Sequence, residues 1–233
     1  MSKNIAFIPL KTFSRRLRQK NFKNLLDIPV FNYALKTALK SKIFCKILLS
    51  TDNSKLVKKK LRINDDKIQI LQRNKYEQNF NLPIKKVMHS QLSRYKDIKD
   101  IDNICVIYST AALLTVKKLK NSYRKLSNEV NCVMGVSSVS PHPNRCFSIS
   151  KGKITKLVNI KNKDSMKWQK YFASNGSICW LNFKEFKKTK SLYIEPIAIE
   201  IFSKYEHVDV DIIEDFEFLA KIFKTITQKN KKT

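Results

Sequence analysis

The sequence has few acidic residues, little glycine and no long apolar run, and these shortages limit what the chain can be. No stretch approaches the roughly 20 consecutive apolar residues of a membrane span. The apolar run at 5–10 is also too short for the core of a secretory signal. With 233 residues and 42% hydrophobic content, the chain is long enough to bury a core. We therefore predict a cytoplasmic protein with no membrane association.

The cysteines form no motif that would hold zinc or carry out redox chemistry. They are odd in number and scattered, and no pair has the C-x-x-C spacing. Most lie in apolar runs, which predicts small buried residues in a reducing compartment. The five positions are Cys45, Cys105, Cys132, Cys146 and Cys179.

The shortage of acidic residues leaves a formal net charge of +28, from 47 Lys and Arg against 19 Asp and Glu. Such an excess is typical of nucleic-acid-binding proteins, because cationic side chains neutralise phosphates. Here the lysines are spread over the whole chain and accompany many asparagines, a pattern that a biased genome composition produces at surface sites. We interpret them as solvated faces and predict no specific nucleic-acid partner. The alternative, a nucleic-acid-binding protein, requires a continuous basic face with exposed aromatics.

Alternating strand-like and helix-like patterns predict an α/β fold with a mostly parallel sheet covered by helices on both faces, in three layers. The predicted strands are 5–9, 45–49, 67–71, 104–108, 132–136, 176–181, 193–199 and 207–210. The predicted helices begin near Pro29 and after a polar cap at 50–53, cover 82–93 and 116–127, and end with an amphipathic helix through 213–226.

Residues 137–175 interrupt this alternation. They contain short β-like pieces at 146–149 and 154–158 around a turn, which predicts a small β insertion on the rim of the sheet. The rest of the chain shows no internal repeat and no long linker. We predict a single domain over 1–228, followed by a basic tail at 229–233.

In an open parallel sheet, ligands bind outside the carboxyl ends of the strands, so chemistry is expected just after each strand. The four places are 10–21, 50–52, 108–112 and 208–211. In the first, cations and backbone amides can wrap a triphosphate, with Lys20 as a mobile point charge and Arg15 or Arg16 as a planar fork. The first three places are equally compatible with a basic surface loop, a helix cap and a loop-to-helix turn.

Asp209 and Asp211 alternate with apolar residues in the fourth place. At strand spacing both carboxylates share one face and can reach one hard cation. Magnesium usually takes one or two carboxylates together with water and substrate phosphates, so a pair is sufficient. The alternative is that the two are acidic residues leading into the N-terminus of the last helix.

These places carry a family resemblance when they are taken in chain order. I-P-L-K-T-F-S-R-R-L-R-Q-K-N at 8–21 resembles the signature I-P-A-R-x-x-S-K-x-x-x-x-K-N with no gap. Further matching elements are D-I-P-V at 27–30, S-T-D at 50–52, Y-S-T-A-A at 108–112, H-P at 142–143, N-G at 175–176 and D-V-D-I-I-E-D at 209–215. The chain thus resembles the acylneuraminate cytidylyltransferases, which include CMP-sialic acid and pseudaminic acid enzymes, from residue 5 to about 222.

The resemblance implies a Rossmann-like nucleotide-diphospho-sugar transferase fold, a homodimer and a role for each matching position. The positions that would hold CTP are Lys11, Ser14, Arg15, Lys20, Asn21 and Arg73. The positions that would bind the sugar acid are Tyr108, His142, Arg145, Tyr171 and Asn175, with Arg145 a candidate for its carboxylate. Asp209 and Asp211 would ligate Mg²⁺. The insertion 137–175 would also complete the site of the partner subunit.

The implied reaction is an in-line attack by the anomeric hydroxyl of a 2-keto sugar acid on the α-phosphate of CTP, which releases pyrophosphate. In such transfers the protein mainly positions the reactants and neutralises charge. Lys20 and Asp211 are the predicted catalytic residues, the former as a cation on the phosphates. No His or Cys is placed as a general base, and a metal-bound water or Asp211 would serve.

The chain also departs from the family pattern. Lys11 stands in place of Arg, Phe13 stands where small or polar residues are usual, and Q-N-F-N at 78–81 replaces A-S-D-T. Further departures are Ser109 and Ala112 for two prolines, Leu114 for an Arg and Ile212 for Thr. A diverged enzyme with a changed sugar and a catalytically inactive homologue that acts as a binding partner both fit these changes.

Overall fold

The computed structural model describes residues 2–95, 100–156 and 164–229. Its strands are β1 (Asn4–Leu10), β2 (Asn24–Leu25), β3 (Ile28–Pro29), β4 (Lys46–Thr51), β5 (Ile68–Gln72), β6 (Asn103–Ile107), β7 (Cys132–Ser138), β8 (Phe147–Ser150), β9 (Lys153–Lys156), β10 (Phe172–Asn182) and β11 (Ile197–Phe202). Its α-helices are α1 (Phe31–Ser41), α2 (Ser54–Lys60), α3 (Ile84–Arg94), α4 (Val116–Arg124), α5 (Phe183–Thr189) and α6 (Ile213–Lys229). None of these helices combines the length and the apolarity needed to cross a membrane.

The main sheet has seven strands in the order β11-β7-β10-β6-β1-β4-β5. Neighbouring strands run parallel except at β10, which is antiparallel to both β6 and β7. The carboxyl ends of the six other strands therefore meet at one edge, and the amino end of β10 joins them there. The predicted mostly parallel sheet is confirmed.

The two faces of the sheet bury separate apolar clusters, because alternate residues of a strand point to opposite faces. Ala6 and Ile8 of β1 face α1, α2 and α4, whereas Ile5 and Phe7 face α3 and α5. All four side chains are fully buried. The fold is thus the predicted three-layer arrangement, with α6 packed on the loops at the carboxyl edge through Leu219.

Several predicted boundaries differ from the observed ones. Pro29 belongs to the short hairpin β2–β3, and α1 begins at Phe31, after Val30. The prediction of a strand at 207–210 is wrong, since this stretch crosses the carboxyl edge as irregular chain outside the sheet. The stretch between the predicted strands 176–181 and 193–199, for which no element was predicted, contains α5, whose buried Phe183 and Phe186 are too widely spaced to form a visible apolar run.

The predicted insertion contains a two-stranded antiparallel hairpin, β8–β9, separate from the main sheet. Its apolar side chains are exposed, with Phe147 at 58%, Ile149 at 74% and Ile154 at 67%. The end of the predicted strand at 154–158, and residues 157–163 of the insertion in general, lie outside the described residues, as do positions 230–233 of the predicted tail.

The edge strand β11 is covered along its backbone by two lysines of α4 and the turn after it. Lys118 Nζ donates to the carbonyl oxygen of Ile201 at 2.6 Å, and Lys125 Nζ to that of Ile199 at 2.7 Å. The same two ammonium groups pair with the buried carboxylate of Glu200, at 3.3 and 2.6 Å. Charged side chains on an edge strand hinder pairing with another strand.

Candidate functional site

A cleft of about 560 Å³ opens at the carboxyl edge of the sheet. It lies where ligands bind in open α/β sheets, because loops from several strands converge there. The lining comes from the segments after β1, β5, β6 and β11, from the start of α3 and from the first half of β10. The lining residues are Pro9, Lys11, Arg16, Lys20, Asn21, Arg73, Leu82, Ile84, Val87, Tyr108, Ser109, Thr110, Ser174, Gly176, Tyr193, Asp209 and Asp211.

The centre of the cleft is an ion-pair cluster around Asp211. Lys20 Nζ lies 3.2 Å from one carboxylate oxygen of Asp211, and Arg16 Nη1 lies 2.6 Å from the other. Lys20 Nζ also donates to the carbonyl oxygen of Val210 at 2.7 Å. The structure therefore brings together the cation and the carboxylate that the sequence predicted independently. Of the two adjacent arginines in the loop after β1, Arg16 rather than Arg15 lines the cleft.

Asp209 lies next to this cluster. Burial raises the pKa of its carboxyl group, and the negative charge of Asp211 raises it further. Its Oδ1 would be 3.8 Å from a β-carbon at Gly176, a glycine with φ +64° at the bulge in β10. The two carboxylates thus share the cleft although no strand aligns them, and their mutual repulsion favours a cation between them.

The segment that carries the two aspartates is fixed by α6. The carboxylate of Asp215, in the first turn of this helix, accepts hydrogen bonds from the backbone N–H groups of Asp211 and Ile212, at 2.9 and 3.0 Å. Val208 and Val210, which alternate with the aspartates, are buried against α6. The apolar alternation thus orients the carboxylates toward the cleft, as a strand would.

Asn21 braces the basic loop that follows β1. Its side-chain amide donates to the carbonyl oxygen of Lys11 at 2.8 Å and accepts from Ser109 Oγ at 2.8 Å. Asp52, after β4, fixes the same loop by accepting from Thr12 N at 2.8 Å and from the Thr12 hydroxyl. The places predicted at 10–21, 50–52 and 108–112 are therefore joined by hydrogen bonds at one edge.

Arg73 enters the cleft from the end of β5. Its side chain is almost fully buried, and its Nε donates to Ser50 Oγ at 3.0 Å. Its Nη2 also lies 3.4 Å from the carbonyl oxygen of Ser50, and the residue lines the cleft. A buried guanidinium beside a cleft is suited to bind an anion. Its contact with a nucleotide stays a prediction.

Tyr108 and Asn175 have different settings. Tyr108 lines the cleft, and burial raises the pKa of its hydroxyl to about 12. Asn175 is buried behind the cleft wall, where its Oδ1 accepts from Ser177 N at 3.0 Å and its Nδ2 donates to Ser137 Oγ at 3.1 Å. The geometry thus places Tyr108 for ligand contact and Asn175 as a brace of the β10 bulge.

The remaining predicted site residues lie outside the cleft lining. Ser14 and Arg15 are on the outer side of the loop after β1. In the insertion, the His142 ring contacts Trp168 in a tilted arrangement and Tyr171 edge-on, with ring centroids 4.8 and 5.2 Å away. The guanidinium of Arg145 lies 5.7 Å from the centroid of the same Trp168 ring. The three predicted sugar-binding residues of the insertion therefore form one aromatic cluster.

One wall of the cleft could not be recognised from the sequence. Ile84 and Val87 line it from the start of α3, Leu82 from the residues just before this helix, and Tyr193 from the loop before β11. Ile84 and Val87 have the i,i+3 spacing that any core-facing helix shows. Tyr193 fell inside a predicted strand, but the observed strand begins four residues later, at Ile197.

Comparisons with known proteins agree with this geometry. Residues 5–232 match the model of the cytidylyltransferase family. A pseudaminic acid cytidylyltransferase from Campylobacter jejuni is 22% identical over 226 residues, which cover 95% of this chain and 97% of the relative. A protein from Helicobacter pylori named as both a pseudaminic acid cytidylyltransferase and a UDP-2,4-diacetamido-2,4,6-trideoxy-beta-L-altropyranose hydrolase is 26% identical over 84% of this chain and 38% of its own length.

Solved structures share the fold. A CMP:2-keto-3-deoxy-manno-octonic acid synthetase complexed with CTP superposes with a TM-score of 0.70, covering 96% of this chain and 99% of the other. At 11% sequence identity this likeness concerns the fold alone. The predicted Rossmann-like nucleotidyltransferase fold is confirmed.

Proposed function

The chain belongs to the cytidylyltransferase family and is a nucleotidyltransferase, and from this we propose that it transfers the cytidylyl group of CTP to a 2-keto sugar acid. The products are the CMP-sugar and pyrophosphate. The observation that carries the proposal is the contact of Lys20 with Asp211, 191 residues apart in the chain, beside Asp209 in one cleft. A cation for phosphates and a carboxylate pair for a metal are the two requirements of cytidylyl transfer.

In the proposed reaction, the cationic residues of the cleft neutralise the charge of the substrate. The anomeric hydroxyl oxygen forms a bond to the α-phosphorus of CTP, and the bond from that phosphorus to the bridging oxygen of pyrophosphate breaks. Lys11, Arg16 and Lys20 neutralise the charge on the phosphates, and such preorganised charges act strongly where water is excluded. The proton of the hydroxyl leaves to a base that this proposal does not assign.

The carboxylate pair suits Mg²⁺. Among the described residues no group of three or more His, Cys, Asp or Glu side chains is arranged to hold a metal. Asp209 and Asp211 would therefore supply the protein ligands, and phosphates and water the others, as is usual for this ion. Burial raises the pKa of Asp209 and repulsion from Asp211 adds to the rise, so a cation beside the pair is favoured. When bound, the metal supplies further neutralisation of the phosphates.

We propose an acid of the pseudaminic type as the sugar. The support is that both relatives named above are called pseudaminic acid cytidylyltransferases. The apolar wall of Leu82, Ile84 and Val87 favours a sugar that carries methyl or acyl groups over one with only hydroxyls.

The test is pyrophosphate release from CTP and Mg²⁺ with three acids: pseudaminic acid, N-acetylneuraminic acid and 3-deoxy-manno-octulosonic acid. We expect turnover with pseudaminic acid and slower or no turnover with the other two. Turnover with another acid alone would reject the proposed sugar but not the reaction. Silence with every acid, together with CTP binding, would instead support the inactive homologue.

We further propose that the protein is a homodimer built on the insertion. A two-stranded hairpin is marginal by itself, so the exposed side chains of β8–β9 require a covering surface. Ile197, Ile199 and Ile201 of β11 offer a second exposed apolar row, with 38–46% of each residue accessible. A two-fold arrangement of copies would bury such surfaces reciprocally and bring the insertion near the partner's cleft.

Light scattering after gel filtration tests the dimer. We expect a mass of twice 27.3 kDa for the wild type and of 27.3 kDa for Ile149→Asp, because a buried unpaired charge opposes association. Ile226→Asp on α6, which also replaces an exposed isoleucine, is the control and should stay dimeric. A monomeric wild type at micromolar concentration would contradict the proposal.

The setting that we propose for the reaction is the cytoplasm. All five cysteines carry free thiols, and the Sγ atoms of Cys132 and Cys179 lie 3.9 Å apart without a disulfide bond. Thiols in this state are usual in a reducing compartment.

A further inference from the structure

Phe80 holds two cations of the loop that follows β1. The Nζ atom of Lys11 lies 4.2 Å from the centroid of the Phe80 ring, and the guanidinium carbon of Arg15 lies 4.0 Å from it. Lys11 Nζ also donates to the backbone carbonyl oxygen of Phe80 at 2.8 Å. The ring thus makes two cation–π contacts at once, and one of them is reinforced by a hydrogen bond.

Two further side chains, Phe13 and Asn81, belong to the same cluster around Phe80 and Arg15. Phe13 packs edge-on against Phe80, with ring centroids 5.5 Å apart and an interplanar angle of 78°. Arg15 Nη2 lies 3.4 Å from Asn81 Oδ1. The segment 78–81 after β5 is thereby fastened across the outside of the loop 11–15, and Lys11 still lines the cleft.

The cluster unites three departures from the family pattern described above. Lys11 replaces an arginine, Phe13 replaces a small or polar residue, and Phe80 belongs to the segment that replaces A-S-D-T. The two stems have similar rotamer freedom, but an arginine presents its charge as a pre-organised planar fork with several donors, whereas a lysine presents a single point charge at the end of a flexible stem. A lysine therefore needs an external anchor to place its charge as reproducibly.

The surroundings of Lys11 disfavour the charged form of its ammonium group. Burial lowers the pKa of its ammonium group, and the nearby cations Arg73 and Arg15 lower it further, against a smaller opposing effect of the Asp52 carboxylate. Without a fixed partner the ammonium would be pushed away from these cations and toward solvent. The π face and the carbonyl oxygen of Phe80 both attract a cation and retain it at the cleft wall.

We propose that Phe80 is a positioning residue for the nucleotide: it anchors Lys11 in the cleft wall so that the ammonium group faces the phosphates of CTP, and it holds Arg15 on the outer side of the same loop. This inference rests on the proposed function, because it assumes that CTP is the ligand of the cleft. Phe80 acts through the two cations and does not itself contact the reacting atoms. The ammonium of Lys11 uses one donor on the Phe80 carbonyl, which leaves the others for phosphate oxygens.

The test compares Phe80→Leu, which keeps an apolar side chain but removes the π face, with Phe80→Tyr, which keeps the π face. Calorimetry gives the Kd for CTP without any sugar acid, and pyrophosphate release gives KM and kcat. We expect Phe80→Leu to raise the Kd and the KM for CTP about tenfold, the scale of two cation–π contacts, with kcat within about twofold of wild type. Phe80→Tyr should match the wild type.

A second substitution separates positioning from folding. Lys11→Arg in the Phe80→Leu background should recover most of the CTP affinity, because the planar fork depends less on the anchor. Tyr76→Leu removes an exposed ring four residues before Phe80, in the same loop after β5, and serves as the control, with no expected change. Phe13→Leu, at a side chain that is 59% exposed, should raise the Kd in the same direction but less.

Unchanged CTP binding in Phe80→Leu would overturn the inference while the proposed function stands. Tighter binding in that variant would also overturn it, since it would show that Phe80 withholds the cations from the nucleotide. A wild type that binds no CTP would reject the proposed function, and the inference with it.

Discussion

Asp211→Asn is expected to lower the rate of pyrophosphate release by about 100-fold or more, the scale on which removal of a central electrostatic group acts. The substitution keeps the shape of the side chain but removes a negative charge from the centre of the cleft. Lys20 and Arg16 lose their common partner, and a metal loses one of two carboxylates. The measurement is kcat/KM with CTP and the best sugar acid over a range of Mg²⁺ concentrations.

Glu214→Gln is the matched control for this prediction. Glu214 is exposed at the start of α6, three residues from Asp211, so the variant removes the same charge outside the cleft. It should retain activity within about twofold, as surface substitutions usually do. If Asp211→Asn keeps its turnover and its Mg²⁺ requirement, Asp211 is not a metal ligand.

The acid side of the pH profile gives a second readout. Metal binding requires ionised carboxylates, so activity should fall as the pH falls toward the raised pKa of Asp209. Burial is the largest cause of the raised pKa of Asp209, and the negative charge of Asp211 is the second. Asp211→Asn removes this second cause. The acid limb of the residual activity should therefore move to lower pH in the variant.

Lys20→Met is expected to have the second largest effect, a loss of about 100-fold in kcat/KM, comparable to removal of one preorganised donor from a transition state. Lys20 is held by the carbonyl of Val210 and the carboxylate of Asp211, which aim its ammonium group into the cleft. Two of its three N–H donors can serve these contacts, and the third is then available to a phosphate oxygen. Methionine retains the length of the side chain without the charge.

Lys23→Met provides the comparison, because Lys23 belongs to the same loop but does not line the cleft. It removes one positive charge from the surroundings and should lower kcat/KM by less than about threefold at physiological salt, where exposed charges are screened. Equal losses in the two variants would mean that Lys20 acts only through the general positive potential of this basic chain. That result would contradict its catalytic role.

The layers and most of the strands could be predicted from the sequence because both faces of the sheet are covered. A strand buried on both faces is an apolar run, and Ile5 and Ala6 of β1 show this directly. The prediction failed where a short apolar run was not a strand. Val208 and Val210 are buried against α6 rather than within a sheet, and alternation alone cannot distinguish the two settings.

The meeting of Lys20, Asp209 and Asp211 in one cleft could be predicted, because segments that follow the strands of a parallel sheet converge at its carboxyl edge. Their roles toward a phosphate and a metal stay predictions. Which guanidinium enters the cleft was not predictable. Arg15 and Arg16 are adjacent, and a turn in the loop sends Arg16 to Asp211 and Arg15 to Phe80. The apolar wall from α3 escaped prediction as well, since Leu82 and Ile84 look like ordinary core positions until the cleft beside them is known.

Lys118 and Lys125, which contact the backbone of the edge strand β11, affect how copies of this chain can associate. A bare edge strand is a template for adding strands from other copies without limit, which leads to fibres. Here the ammonium groups of Lys118 and Lys125 already occupy the carbonyl oxygens that an incoming strand would use. Growth of the sheet at the β11 edge is therefore hindered. The proposed two-fold contact would instead use side-chain faces, where it closes on itself. The same lysines that raise the net charge thus oppose open-ended addition of strands at this edge.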